Sequence, residues 1–140
     1  TGVQTCALPI YSGLLVGTWG VLCAMEKVQT HPHLDRMLQA VEAFRQFDPE
    51  MPAQTISVFL AIAYHGEISM ARLKTLLGIA QSSVSRNVSM LSATTRHGKP
   101  GPNLLRSWEN PDNRREKLVT LTVQGRRHAA ILNAILGGSR

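Results

Sequence analysis

The sequence predicts a mainly α-helical domain that carries one small β-hairpin. Apolar residues recur at helical spacing in four segments between residues 31 and 92. Two β-like runs, 104–109 and 117–121, flank a short stretch of turn-forming residues, and a fifth helical segment follows them. The chain has 140 residues, of which 44% are hydrophobic, and this suits one domain with a real core.

The first two predicted helices span residues 31–47 and 52–65. Pro32 suits the first turn of a helix, where its missing N–H would have no partner. The second helix stops at His65-Gly66. Leu34, Met37, Leu38, Val41 and Phe44 fall on one face of the first helix, and this stripe suits either the core or a dimer interface. The expected buried residues of the second helix are Ile56, Phe59, Leu60 and Ala63.

A short extended piece, Glu67-Ile68, precedes two helices joined by a tight turn. Ser69 is the expected N-cap of the third helix, and Gly78 ends that helix in the manner of a C-terminal glycine. The fourth helix runs from about Gln81 to Ser92. The expected buried residues are Leu73 and Leu76 on the third helix and Val84, Val88 and Leu91 on the fourth.

The hairpin and the last helix complete the chain. Residues 96–103 hold two glycines and two prolines and are predicted to form a loop, and residues 110–113 are the hairpin turn. Thr122 is predicted to cap the last helix, 123–136. Its apolar residues are Ala129, Leu132, Ile135 and Leu136.

This order of elements is that of a winged helix-turn-helix, in which the fourth helix enters the DNA major groove. Such a helix anchors one face in the domain and presents the other face to base edges. Small serines allow a close approach to the groove floor, and Arg86 is able to bond guanine in a bidentate manner or to grip phosphate. The alternative is an ordinary amphipathic helix with a serine-rich face, but serine is a mediocre helix former.

The hairpin is predicted to act as a wing beside this helix. Arg114 and Arg115 lie at or just past its turn, where paired guanidinium groups suit the negative potential of a minor groove. The alternative is a solvated turn. The predicted DNA-binding residues are Gln81, Ser82, Ser83, Ser85, Arg86, Ser89, Arg106, Arg114, Arg115 and Lys117.

Charge is distributed unevenly along the chain. Residues 1–25 have no charged side chain, residues 26–68 have a net charge of −3, and residues 69–140 have a net charge of +9. Eleven of the fifteen basic residues are arginine, which favours contacts with phosphate and base edges over a role in solubility alone. Double-stranded DNA is therefore the predicted partner.

Two motifs resemble the MarR family of bacterial transcriptional regulators. The first is LLGIAQSSVSRNVSMLS at 76–92, and the second is NPDNRREKLVTLTVQGRR at 110–127. The second carries an Asp/Arg-rich wing followed by Leu-Thr-x-x-Gly, which is the more specific feature. The resemblance is good over residues 54–127 and implies a cytoplasmic homodimeric repressor that binds a near-palindromic operator and is often released by a small ligand.

The sequence departs from the family pattern in two places. Asn113 stands where an Asp commonly precedes the paired arginines, so an ion pair that orders the wing tip is not expected. One helix, 123–136, follows the wing, where the family usually has two long ones. If a dimer forms, this helix and the helix at 31–47 are expected to supply most of its interface.

The first 24 residues are predicted to lie outside the DNA-binding domain, which is assigned to 25–140. Residues 6–25 form an apolar run without a preceding Lys or Arg, unlike a signal peptide or an anchor. The first ten residues resemble translated adapter sequence, and Met25 resembles a natural start. We therefore expect a non-native or disordered leader and no membrane partner; the rival interpretation is a real membrane anchor.

Enzyme and metal-site interpretations find no support in the sequence. There is no glycine-rich phosphate loop, and no His or Lys is arranged as a base beside the serines of 82–85. Cys6 and Cys23 lie in the leader, so neither a metal site nor a cofactor is predicted. The alternative to a regulator is a winged-helix module for nucleic-acid or protein interaction, for example in phage or plasmid replication or assembly.

Overall fold

The computed structural model of the chain describes residues 31–137. The chain divides into two units, residues 1–39 and 40–140, and the described part of the first unit is the beginning of the first helix. The predicted fold class, mainly α-helical with a small β wing, is confirmed. The elements are α1 (Pro32–Arg45), α2 (Ala53–His65), β1 (Glu67–Ser69), α3 (Met70–Leu77), α4 (Gln81–Leu91), β2 (Leu105–Glu109), β3 (Lys117–Leu121) and α5 (Val123–Gly137).

The three strands form one antiparallel sheet in the order β1-β3-β2. The sequence predicted the β2–β3 hairpin, and the structure adds β1 to its other edge, with Glu67 opposite Thr120. The Thr120 hydroxyl donates a 2.7 Å hydrogen bond to the carbonyl oxygen of Gly66, which ties the end of α2 to the wing. The wing therefore starts from a sheet that is anchored in the helical core.

Local sequence signals placed the helix ends correctly. The Ser69 hydroxyl accepts a hydrogen bond from the backbone N–H of Arg72, as an N-cap does. Gly78 ends α3 with φ 63°, a left-handed conformation that glycine adopts without a Cβ penalty. The Thr122 hydroxyl accepts from the Gly125 N–H at 3.0 Å at the start of α5. The predicted ends at Phe47 and Ser92 are each within two residues of the observed ends.

The predicted buried face of α2 was wrong by about one residue. Leu60 is 45% exposed and Ile56 and Ala63 are partly buried, and Phe59 alone of the predicted set is fully buried. The observed face follows the same i, i+3, i+4, i+7 spacing, rotated by about 100°. It consists of Thr55, Val58, Phe59 and Ile62. Residues 58–64 are an uninterrupted apolar run, so apolar periodicity alone does not select the face.

On three other helices, the apolar residues that the sequence singles out are buried only in part. Leu76 on α3 is exposed, and Met70 is buried with Leu73 instead. On α5, Leu136 is exposed and Leu132 is buried, while Ala129 and Ile135 pack against the core in part. On α1, Phe44 is buried, whereas the rest of the predicted stripe is exposed, namely Leu34, Met37, Leu38 and Val41.

Gly125 explains the glycine of the Leu-Thr-x-x-Gly motif. It is buried in the first turn of α5, and a Cβ at this position would collide with the carbonyl oxygen of Leu104. The same carbonyl accepts a 3.0 Å hydrogen bond from the Thr122 N–H. A glycine therefore allows α5 to pack closely against the start of β2.

Residues 31–137 contain neither a membrane-spanning helix nor a cluster of metal ligands. Within this range, no helix is long and apolar enough to cross a membrane. The same part of the chain has no group of three or more His, Cys, Asp or Glu side chains that could hold a metal ion. The leader at 1–24, Cys6 and Cys23 lie outside the described residues.

Candidate nucleic-acid interface

The buried side of α4 fixes this helix in the core. Val84, Val88 and Leu91 are all at most 1% exposed, which confirms the predicted buried face. The Leu104 N–H donates a 2.8 Å hydrogen bond to the carbonyl oxygen of Leu91, so the chain after α4 is tied to the end of the helix. The helix is therefore held along its length.

A buried polar contact also links α4 to α2. The Thr55 hydroxyl, fully buried, donates a 2.9 Å hydrogen bond to Oδ1 of Asn87. Asn87 Nδ2 in turn donates to Oε1 of Gln54 at 3.2 Å. A hydrogen bond is directional and apolar packing is not, so this pair fixes the rotation and axial position of α4 against α2. Sequence reasoning missed both residues, because polar side chains at these positions look like solvent-facing ones.

The opposite side of α4 faces solvent. Gln81, Ser82, Ser85 and Arg86 are exposed, as predicted for a face that contacts DNA. The helix presents small polar groups and one guanidinium here. Two other predicted contact residues, Ser83 and Ser89, are half-buried. Ser83 lies at the edge of the exposed face, whereas the helical spacing places Ser89 on that face, in the last turns of α4.

An open groove of about 730 Å³ joins the first turn of α4 to the wing. Five lining residues were predicted from the sequence, and they come from α4 and from the wing. Arg115 and Lys117 supply positive charge on the wing side, and one carboxylate, Glu116, lies beside them. The full lining is Met70, Ala71, Gln81, Ser82, Ser85, Arg96, Asn113, Arg115, Glu116 and Lys117. The groove thus combines hydroxyl and amide groups with cations, which are the groups that contact base edges and phosphates.

Arg96 is the lining residue that sequence reasoning did not select. It lies in the loop after α4 and is exposed, and the loop returns it to the groove. Its only signal in the sequence is its place in the basic half of the chain. The sequence does not say which way the loop folds, so the position of Arg96 could not be predicted.

Two asparagine side chains order the wing tip through hydrogen bonds to the backbone. No ion pair was expected there. Asn110 Oδ1 accepts a hydrogen bond from the Asp112 N–H at 3.0 Å, and Asn113 Oδ1 accepts from the Arg115 N–H at 3.3 Å. The Asn110 N–H donates to the carbonyl oxygen of Glu116 at 2.8 Å and closes the turn. Asn113 therefore takes over the ordering of the turn through a local side chain-to-backbone bond.

The remaining two predicted wing residues lie outside the groove. Arg114 is exposed at the tip, beside Arg115 but not in the groove lining. Arg106 is paired with Thr120 and shares its face of the sheet. Lys117 comes three residues before Thr120 on β3, and side chains alternate between faces, so it lies on the other face. The Arg106 guanidinium lies 5.4 Å from the centre of the Trp108 ring, within reach of a cation–π contact. The structure thus separates Arg106 from Lys117, which the sequence had grouped together.

His128, on α5, is an ionisable residue that is buried in the helical core. Its ring makes edge contacts with Phe44, Phe47 and Phe59, with ring centres 4.8 to 5.5 Å apart. Its Nε2 has no hydrogen-bond partner among the described residues. Burial lowers the pKa of His128 from its ordinary value of 6.5, because the charged imidazolium would lose its hydration there.

Solved structures of MarR proteins share this fold. Over 81% of this chain and 71% of the other, Rv1404 from Mycobacterium tuberculosis superimposes with a TM-score of 0.59 and 24% identity. Wild-type apo MarR from E. coli gives a TM-score of 0.55 and 17% identity, over 80% and 75% of the two chains. A mutant E. coli MarR complexed with operator DNA gives 0.55 and 16%, over 85% and 78%.

At the sequence level, no protein-family model matches this chain, and no curated protein matches it. The structural similarity nevertheless confirms the MarR-type winged-helix fold. The five helices and the three-stranded antiparallel sheet described above are the elements of that fold.

Proposed function

We propose that this chain is a transcriptional regulator of the MarR type, which binds double-stranded DNA and acts as a repressor in the cytoplasm. The observation that carries the proposal is the groove that joins the exposed face of α4 to the cations of the wing. The MarR-type fold supports it, and so does the E. coli MarR structure solved with operator DNA. A catalytic role is not proposed.

In this proposal α4 contacts the bases, and the cations of the groove and wing contact phosphate or the minor groove. Arg86 and the exposed residues Gln81, Ser82 and Ser85 face the base edges of a major groove, where each base pair presents a distinct set of donors and acceptors. Arg114, Arg115 and Lys117 bind phosphate or the minor groove beside it, and Ser83, Ser89 and Arg106 are secondary contacts. Arg96 joins the phosphate-binding group because it lines the same groove.

The proposal includes a homodimer and a small-molecule effector, both implied by the resemblance to the MarR family. A symmetric dimer requires an operator with two related half-sites, because each α4 then reads one half-site. The centres of those half-sites are expected about 10 base pairs, or a multiple of that, apart.

Selection from a pool of randomised duplexes, followed by binding measurements across a range of salt concentrations, tests this function. We expect an enriched near-palindromic sequence that binds about a thousandfold or more tightly than random duplex at physiological salt. Equal affinity for selected and random duplexes at every salt concentration would contradict a regulator and favour the interaction module. Enrichment of a single unpaired half-site would contradict the dimer alone.

A further inference from the structure

A second cluster of arginines lies on the side of the wing that faces away from the groove. Arg106 from β2 and Arg126 and Arg127 from the first turns of α5 line an open cleft of about 380 Å³. The other lining residues are Asn103, Thr122, Val123 and Gln124. The cleft is called the outer cleft below.

The register of the sheet shows that the two basic surfaces lie on opposite faces of the wing. Arg106 is paired with Thr120, and Glu109 is paired with Lys117. Side chains alternate between faces along a strand, so Arg106 and Lys117 project from opposite faces. Val119 and Leu121 share the face of Lys117 and are buried in the core, which makes the face of Arg106 the outer one.

The chemistry of the outer cleft suits an anion. No acidic residue lines it, and none of its three arginines forms an ion pair with another residue between 31 and 137. The ring of Trp108 lies against the Arg106 guanidinium and keeps it on the outer face. Planar guanidinium groups match the oxygens of a phosphate in a bidentate manner, so a phosphate-bearing ligand fits this cluster best.

The cleft favours an extended polyanion over a small molecule. Sites for small ligands bury most of the ligand and are lined mainly by apolar residues. Here the three arginines are exposed, and the apolar lining residue, Val123, is itself 58% exposed. An exposed, open row of arginines instead resembles a surface that follows a phosphodiester backbone.

We propose that Arg106, Arg126 and Arg127 form a second phosphate-binding surface, which contacts the DNA backbone on the outer side of the wing. A wing that enters a minor groove lies between the two backbones of the duplex. Arg115 and Lys117 then contact one backbone from the groove, and the outer cleft contacts the other. This inference rests on the proposed DNA-binding function and adds Arg126 and Arg127 to the interface.

The salt dependence of binding to a random-sequence duplex tests this placement, because it counts neutralised phosphates. Replacing Arg106, Arg126 and Arg127 together with Gln should lower the slope of log affinity against log salt by about two to three units. At about 0.1 M salt the affinity should fall about a hundredfold to a thousandfold. Replacing the same three residues with Lys keeps the charges and should leave the slope close to that of the parent.

Arg45→Gln is the matched control. Arg45 is an arginine on α1 that forms an ion pair with Glu42, and it lines neither surface. Its loss lowers the net charge without removing a proposed phosphate contact, so the slope should not change. Thermal denaturation of each variant, followed by circular dichroism, checks that the fold is retained.

A triple Gln variant that binds random duplex with the slope of the parent would overturn the proposal. Pyrophosphate titrated into the parent by calorimetry distinguishes the source of the phosphate. Saturable binding that the triple variant loses, together with an unchanged DNA slope, would make the outer cleft a site for free phosphates instead. If the parent itself binds no DNA, the proposed function fails. That failure is distinguishable from a failure of the outer-cleft proposal, because the parent alone shows it.

Discussion

The two faces of α4 differ in composition and in what holds them. The buried face combines Val84, Val88 and Leu91 with Asn87, whose side chain is hydrogen-bonded to Thr55. The exposed face consists of Gln81, Ser82, Ser85 and Arg86. The difference indicates that the orientation of the helix and the recognition of DNA depend on separate residues. Substitutions on the two faces should therefore change different measured quantities.

The largest effect is expected from truncation of the buried face. Leu91→Ala should lower the free energy of unfolding by about 2–5 kcal/mol, because a fully buried leucine leaves a cavity. Urea denaturation of the full chain measures this. Leu76→Ala is the matched control, since Leu76 is 51% exposed and its loss should cost less than about 1 kcal/mol. Equal losses for the two variants would mean that α4 is not packed as described.

The polar contact on the buried face should give the next largest effect. Asn87→Ala leaves the buried Thr55 hydroxyl without its acceptor and should lower the free energy of unfolding by about 1–3 kcal/mol. Asn133→Ala, on the exposed side of α5, is the control and should change it by less than about 0.5 kcal/mol.

A double-mutant cycle sharpens this prediction. Thr55→Val and Asn87→Ala should couple by about 0.5–3 kcal/mol if their side chains share a hydrogen bond. Strictly additive losses would show that the Thr55–Asn87 contact does not exist in solution, and that apolar packing alone orients α4.

The core should also add a pH-dependent term to stability. The folded pKa of His128 lies below its ordinary value of 6.5, so the unfolded chain binds the proton more readily. Its contribution to stability is complete above pH 6.5 and is lost as the pH falls from 6.5 toward the folded pKa. The denaturation midpoint of the parent should therefore decrease as the pH is lowered from about 7 to about 5.

His128→Leu removes this titrating group and should flatten the pH dependence over that window. Asn133→Ala, on the exposed side of α5, removes no titrating group and should leave it as it is in the parent. A parent and a His128→Leu variant with parallel pH profiles would contradict the burial of a neutral imidazole among the three phenylalanines.

The smallest effect on stability is expected on the exposed face. Ser82→Ala and Ser85→Ala remove exposed hydroxyls and should change the free energy of unfolding by no more than about 0.5 kcal/mol. The same urea denaturation measures them. A loss above about 1 kcal/mol would show that these serines support the fold, and the comparison between the two faces would fail.

The ends of the elements and the buried face of α4 could be predicted because the signals are local. Ser69, Gly78 and Thr122 act through bonds within three or four residues of themselves. On α4 the apolar residues Val84, Val88 and Leu91 recur at helical spacing between polar residues, so a single face satisfies the pattern. On α2 the run 58–64 is apolar on all sides, and the face is chosen by the partners that it packs against.

The groove could be predicted in part. Sequence order placed the fourth helix and the wing together, and the structure brings Gln81, Ser82 and Ser85 to the same groove as Arg115 and Lys117. The separation of Arg106 from Lys117 depends on strand register and on which face of the sheet packs on the core. The role of Asn87 depends on a residue 32 positions away, and no periodicity reveals such a contact.

The effect of Arg86→Ala on the choice between selected and scrambled duplex tests the central claim most directly. Arg86 is exposed, so its loss should leave the urea midpoint unchanged while general DNA binding persists. We expect the preference for the selected duplex to fall by about 1–3 kcal/mol, the value of one bidentate base contact. A variant that keeps the full preference of the parent would contradict the claim that the exposed face of α4 reads DNA sequence.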